Sequence, residues 1–261
     1  MATEALNPRS VTFAYLFGPP RHVPRDEAAR IHAAVCDRLG FDDISFLYKN
    51  EPGAGQQADT CGLACSRSEG REVFQFAVES RGLQAPMRLY LSNPWPGSLE
   101  EVQERFDATS EAVFEALDGE WHNVLAETRI RAHCSAGGGD GAGYIRDTLL
   151  RAPAGWLGAD PALASCSIKY KLDAEDPASD PARELSIEPL QADPTCLYLE
   201  LISRWTCTRG TKDKQQLLTT IEGKPSDYIR DSYAFLLENE LPKKKGAGAK
   251  NRVRAAQEAA K

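Results

Sequence analysis

The hydrophobic pattern of this chain switches repeatedly between a period of two and a period near 3.6. Residues 10–17 (SVTFAYLF) alternate and are rich in aromatic and β-branched side chains, which predicts a strand ended by Gly18-Pro19-Pro20. From about residue 25 to residue 39, Ala28, Ile31, Val35 and Leu39 share one face at helical spacing. Residues 42–49 (DDISFLYK) alternate again, and 72–79 and 86–91 predict two further strands. Between them, residues 51–70 (EPGAGQQADTCGLACSRSEG) are polar and rich in Gly and Ser, the composition of a surface loop. The clearest helix of the first half starts at Ser98, which forms a capping-box pattern with Glu101. Val102, Phe106, Val113, Phe114 and Leu117 then recur on one face, and Gly119 lies just past the end.

The second half repeats this order. Residues 125–134 (LAETRIRAHC) predict a strand, followed by a Gly-rich stretch and a short helix around 144–150. Strands are predicted at 164–172, 184–190 and 197–204, with the acidic stretch 174–182 (AEDPASDPA) as a loop. Helical patterns at 212–221 and 226–241 close the chain, separated by Gly223-Lys224-Pro225; Ile229, Tyr233, Leu236 and Leu237 form the stripe of the last one. Each half reads strand–helix–strand–strand–strand–helix. The expectation is an α+β fold of two similar halves, 1–119 and 120–241, arising by tandem duplication. Each half would carry an antiparallel sheet with helices on one face, and the two would pack as a pseudo-twofold unit. Residues 242–261 form a flexible basic tail in this scheme.

In the second half, the run TRIRAHCSA, the short helix GYIRDTLLRAP and the strands SCSIKYKLD, RELSIEPL and CLYLELISRW come before the long final helix. This succession resembles a sporadically distributed family of bacterial proteins of similar length, built from two related α+β halves and with no activity attached. In that family the first of these strands typically ends in an Arg-Tyr-Asn pattern, with or without an Ile before the Asn, and the late strand alternates Leu with Asp. Here Arg131-Ala132-His133 stands at the first place and Leu199-Glu200-Leu201 at the second; the Asn is missing, and Glu200 takes the acidic position. The scattered occurrence of the family implies horizontally moved genes of accessory or defence systems.

Composition narrows the function classes. With 261 residues, 42% hydrophobic and 26% charged, the chain can bury a core and is not wholly disordered. No apolar run approaches the roughly 20 residues that span a bilayer, and the N-terminus has neither a basic start nor a long apolar stretch. The seven cysteines are odd in number and scattered, which fits reduced thiols and a cytoplasmic setting. Net charge is −7, yet the tail from Lys243 to Lys261 holds seven Lys/Arg against one Glu, so +6 sits there and −13 on the body. An acidic body argues against a general nucleic-acid-binding domain. The tail itself suits phosphates or an acidic protein.

Candidate chemistry is sparse. Gly137, Gly138, Gly139, Gly141 and Gly143 lie between a strand and a helix, where backbone amides and a helix N-terminus could receive a phosphate. The stretch lacks the Lys-Ser/Thr of a P-loop and the spacing of a dinucleotide turn, so a connection that uses glycines for positive φ is the better account. Cys61 and Cys65 have at most one of His133 and Cys134 as a third metal ligand, because adjacent strand residues point to opposite faces. No metal and no cofactor are expected. Asp173, Glu175, Asp176 and Asp180 read as a solvated acidic loop. Residues 205–212 (WTCTRGTK) combine hydroxyls, a Trp, Arg209 and Lys212, which suit an anion or an ordinary strand-to-helix turn capped by Thr211.

With neither a nucleophile elbow nor a zinc-protease motif, the expectation is a non-catalytic binding or adaptor protein of a bacterial accessory system, acting through a protein partner at a sheet face or edge. The alternative is a nucleic-acid-associated protein using Arg209, Lys212 and the tail residues Lys243, Lys244, Lys245, Lys250, Arg252 and Arg254. The third is a phosphate-ligand sensor or enzyme using the loop from Gly137 to Gly143. No membrane association is expected.

Overall fold

β1 (Asn7–Gly18) is the strand on which the fold is organised. Its odd-numbered residues Val11, Phe13, Tyr15 and Phe17 are completely buried, while Ser10, Thr12, Ala14 and Leu16 point the other way. In the computed structural model, the described residues are 6–41, 44–49, 61–69, 72–80, 86–94, 97–119, 121–137, 139–150, 167–174, 180–206, 223–239 and 241. Helix α1 (Arg25–Leu39) follows β1, then come β2 (Ser45–Lys49), β3 (Cys61–Glu69), β4 (Glu72–Ser80) and β5 (Met87–Pro94), and helix α2 (Leu99–Ala116). β6 (His122–Ser135) opens the second half. A turn of helix α3 (Gly141–Tyr144) runs on as a wider π-helical stretch (Ile145–Leu150), followed by β7 (Ile168–Leu172), β8 (Ala182–Pro189), β9 (Cys196–Thr206) and helix α4 (Pro225–Glu238). No helix among the described residues is long and apolar enough to cross a membrane.

The fold is α+β, and its strands form one antiparallel sheet in the order β2-β3-β4-β5-β1-β6-β9-β8-β7. The two separate sheets expected from the halves are therefore joined. β1 pairs with β6 from Asn7↔His133 to Gly18↔His122, with bulges near Pro8 and Leu16. Kept apart, the two strands would each present a row of unpaired amides; paired, they satisfy one another and leave β2 and β7 as the edges. A second expectation also fails. Residues 61–69, expected within a loop, are strand β3, whose small Gly62, Ala64 and Ser66 alternate with Leu63 and Cys65, both buried against the helices.

All the helices among the described residues lie on one face of this sheet. The main core joins Val11, Phe13, Tyr15 and Phe17 of β1 to Ile31 and Val35 of α1, Val102, Phe106 and Val113 of α2, and Ile229 of α4. Each large side chain fully buried there contributes about 1.5–3 kcal/mol. A smaller cluster of Ala136, Tyr144, Ile145, Ile187, Leu197 and Leu199 sits under α3 on the same face. Three buried hydroxyls pin α4: Ser232 meets Thr128 of β6 at 2.6 Å and donates to Ser203 of β9 at 3.0 Å. At the start of α2, Ser98 accepts from the Glu101 amide, so the Ser98 half of the expected capping pair forms.

Candidate functional site

The opposite face of the sheet carries no helix among the described residues. Strand alternation brings the other half of each strand here, and the register sets the neighbours. One row across the centre runs Tyr90–Ala14–Glu127–Arg204; the next runs Ser92–Thr12–Arg129–Ile202–Glu184; the third runs Ser10–Arg131–Glu200–Ser186. Along β6 and β9 the charges interlock. Arg204 Nε donates to Glu127 Oε2 at 2.7 Å, and Arg131 Nε donates to Glu200 Oε1 at 2.8 Å. Arg129 lies between them, 3.9 Å from Glu127 and 4.0 Å from Glu200. Three guanidiniums and two carboxylates thus form one network across two strands. Arg131 and Arg204 remain 44% and 42% exposed, so the guanidiniums that bond within the sheet still face solvent.

Aromatic groups border this network. Arg88 lies over the ring of Tyr90 on β5, 4.6 Å from its centroid. His133 and Tyr198 face each other from β6 and β9 with ring centroids 6.2 Å apart. Burial holds His133 below the usual histidine range, with Arg9 adding to the effect and Asp193 opposing it. Burial also pushes the Tyr198 hydroxyl up, helped by Glu200 and opposed by Arg131. The hydrogen bond to Glu200 raises Arg131 further, so this cation keeps its charge at any pH a folded protein meets. The small residues of the face, Ala14, Ala77 and Ser92, are nearly covered although no helix among the described residues lies over them.

The glycines singled out in the sequence lie elsewhere, at the end of β6. Gly137 has φ +69°, a left-handed conformation that favours glycine. Gly141 donates its amide to Pro194 O at 2.7 Å, and a side chain there would meet the Cys196 carbonyl at 2.9 Å. Gly143 donates to the Asp140 carboxylate at 2.5 Å, which caps α3. The amides of Gly137, Gly141 and Gly143 are therefore engaged within the chain, that of Gly143 by a carboxylate. Gly139 is described in the same connection, and Gly138 lies outside the described residues. Arg209, Lys212, Lys243, Lys244, Lys245, Lys250, Arg252 and Arg254 also lie outside them, as does the predicted helix at 212–221.

Cys65 belongs to β3 and Cys134 to β6, four strand spacings or about 19 Å apart, so they cannot share a metal ion. Burial pushes the Cys134 thiol up to about 11 and the Cys65 thiol higher still, so neither is a thiolate at neutral pH. No group of three or more His, Cys, Asp and Glu side chains among the described residues is arranged to hold a metal ion.

The charged network was missed as a unit, although two of its members, Arg131 and Glu200, were each singled out in the sequence. The signal was present in TRIRAHC, where every second residue is charged or polar, and in YLELISRW, where Tyr198, Glu200 and Arg204 alternate with apolar or small residues and only Ile202 interrupts the outward series. What the sequence lacked was the register that sets Glu127 against Arg204 and Arg131 against Glu200. No family model matches this chain, and no curated protein matches it.

Proposed function

We propose that this chain is a non-catalytic binding protein of a bacterial accessory system that engages a protein partner through the open face of its sheet. The observation that carries this is the composition of the central strands there. Arg88, Tyr90, Arg129, Arg131, Tyr198 and Arg204 stand on β5, β6 and β9, without a lysine among the outward residues of those strands. Protein interfaces are enriched in Arg and Tyr and depleted in Lys, because planar guanidiniums and rigid rings lose less freedom when they are covered. Lateral ion pairs hold these side chains in place before any partner arrives, which lowers the entropy lost on binding. Placing a photo-activated cross-linking residue at Thr12 or Tyr198 tests this. Polypeptide adducts are expected in host cells from these positions and not from Arg30 on α1. Equal adduct formation from all three would overturn the proposal.

Tandem duplication is proposed alongside. The order β1-α1-β3-β4-β5-α2 corresponds to β6-α3-β7-β8-β9-α4. A twofold axis between β1 and β6 exchanges β5 with β9, β4 with β8 and β3 with β7, leaving β2 without a counterpart among the described residues. An alignment of relatives in which the halves match each other across these strands is the expected result. Halves matching no better than unrelated α+β sequences would overturn it.

A further inference from the structure

We infer that the open face closes on a second copy of this chain, about a twofold axis parallel to the strands and lying between β6 and β9. This rests on reading the open face as the protein-binding surface and names its occupant. Such a rotation lays β6 of one copy over β9 of the other at the same height. Glu127 then faces Arg204 of the second copy, and Arg131 faces Glu200 of the second copy, because each pair already shares a row within the sheet. Arg129 faces the apolar Ile202 and keeps both carboxylates diagonal to it, and His133 faces Tyr198.

The position of the axis follows from the charges. An axis between β1 and β6 would set Glu127, Arg129 and Arg131 over Ala14, Thr12 and Ser10, so none of the three would face an opposite charge across the axis. An axis between β9 and β8 would set Glu200 over Ser186 and Ile202 over Glu184. At the β6–β9 axis, each carboxylate keeps the guanidiniums of its own chain and gains one more from the second copy. Covering an ion pair is tolerated only when additional partners of that kind replace the lost water.

Shape and size agree with charge. On either side of the central strands, Ala14 and Ser10 of β1 would lie over Ala182 and Ser186 of β8. These short side chains let the sheets approach to the usual spacing of about 10 Å. Six strands at about 4.8 Å spacing and about 30 Å length give a footprint on the order of 800 Å² per copy, the size of a standard stable interface. Aligned sheets cross at about 30°, so the match is closest near the axis and loosens toward the edges.

Sedimentation velocity of the full chain, from low to high micromolar concentration, tests this inference. The expected result is a species approaching twice the 28.6 kDa chain mass and weakening with added salt. Glu127→Arg sets like charges against each other across the axis and should weaken association at least tenfold. The double variant Glu127→Arg with Arg204→Glu restores opposite signs in the row and should recover it. Glu115→Arg, on the exposed side of α2, controls for a general charge effect and should leave association unchanged. Thermal melts of each variant separate loss of association from loss of folding. A wild-type chain that stays at the monomer mass overturns the inference, while the cross-linking at Thr12 and Tyr198 still decides whether the face binds another protein. A dimer indifferent to Glu127→Arg overturns it too.

Discussion

β1 has two faces that do different work within twelve residues. Val11, Phe13, Tyr15 and Phe17 are sealed under three helices, and Phe13 packs edge-on against Tyr15 with ring centroids 4.5 Å apart. One residue along in each case, Ser10, Thr12, Ala14 and Leu16 face a surface of arginines, glutamates and tyrosines. The contrast extends across the sheet. The covered face holds the chain together through apolar area, which is insensitive to the identity of any distant partner. The open face contributes little to stability because exposed ion pairs are screened and solvated. It is therefore free to be shaped by what it meets.

Substitutions on either side of this contrast should differ sharply. Phe13→Ala removes a fully buried ring from the centre of the core and should cost about 3–5 kcal/mol in denaturant unfolding, whereas Thr12→Ala should stay within about 0.5 kcal/mol. Comparable losses at the two positions would break the comparison. Ser232→Ala leaves Thr128 and Ser203 without their shared hydroxyl and should cost about 1–3 kcal/mol. Replacing all three, with Val at Thr128 and Ala at the two serines, should recover part of that loss, since no buried donor then goes unpaired.

Smaller effects sharpen the account of the open face. Glu200→Gln weakens its bond to Arg131 and its attraction to Arg129, and should lower stability by no more than about 1 kcal/mol. A larger loss would mean that the network holds the fold together after all. The smallest effect expected is a pH dependence. His133 is held below its ordinary range, so below about pH 6.5 the unfolded chain takes up a proton that the folded one still refuses. The stability involved is present at neutral pH and is lost as pH falls toward the depressed folded value. His133→Gln should flatten unfolding midpoints measured from pH 7 to pH 5, and an unchanged slope would assign the acid sensitivity to other groups.

Several elements were legible before the fold was known. The alternation of residues 10–17, the stripe of Ile31 and Val35, and Val102, Phe106 and Val113 all correspond to core positions. β3 was not legible, because Gly62, Ala64 and Ser66 are small and offer little apolar surface, and their strand character comes from pairing with β2 and β4 on either side. The candidate face was half legible. TRIRAHC announced a strand with charged residues on one side, but whether those charges repel, pair or stand alone depends on which strand lies beside it. The Gly-rich connection drew attention by composition, and the structure engages its amides at Gly141 and Gly143 with Pro194 and Asp140.

By itself, the sequence determined the local periods, the helix and strand faces, and the acidic balance of the body, because each follows from residues close together along the chain. The tertiary structure decided that β1 and β6 join two halves into one sheet, and that Glu127 meets Arg204 and Arg131 meets Glu200. These contacts link residues roughly 70 to over 110 positions apart. No local pattern encodes them; they arise when strand edges seek partners for their amides and the register is set by the apolar side chains that must share one covered face.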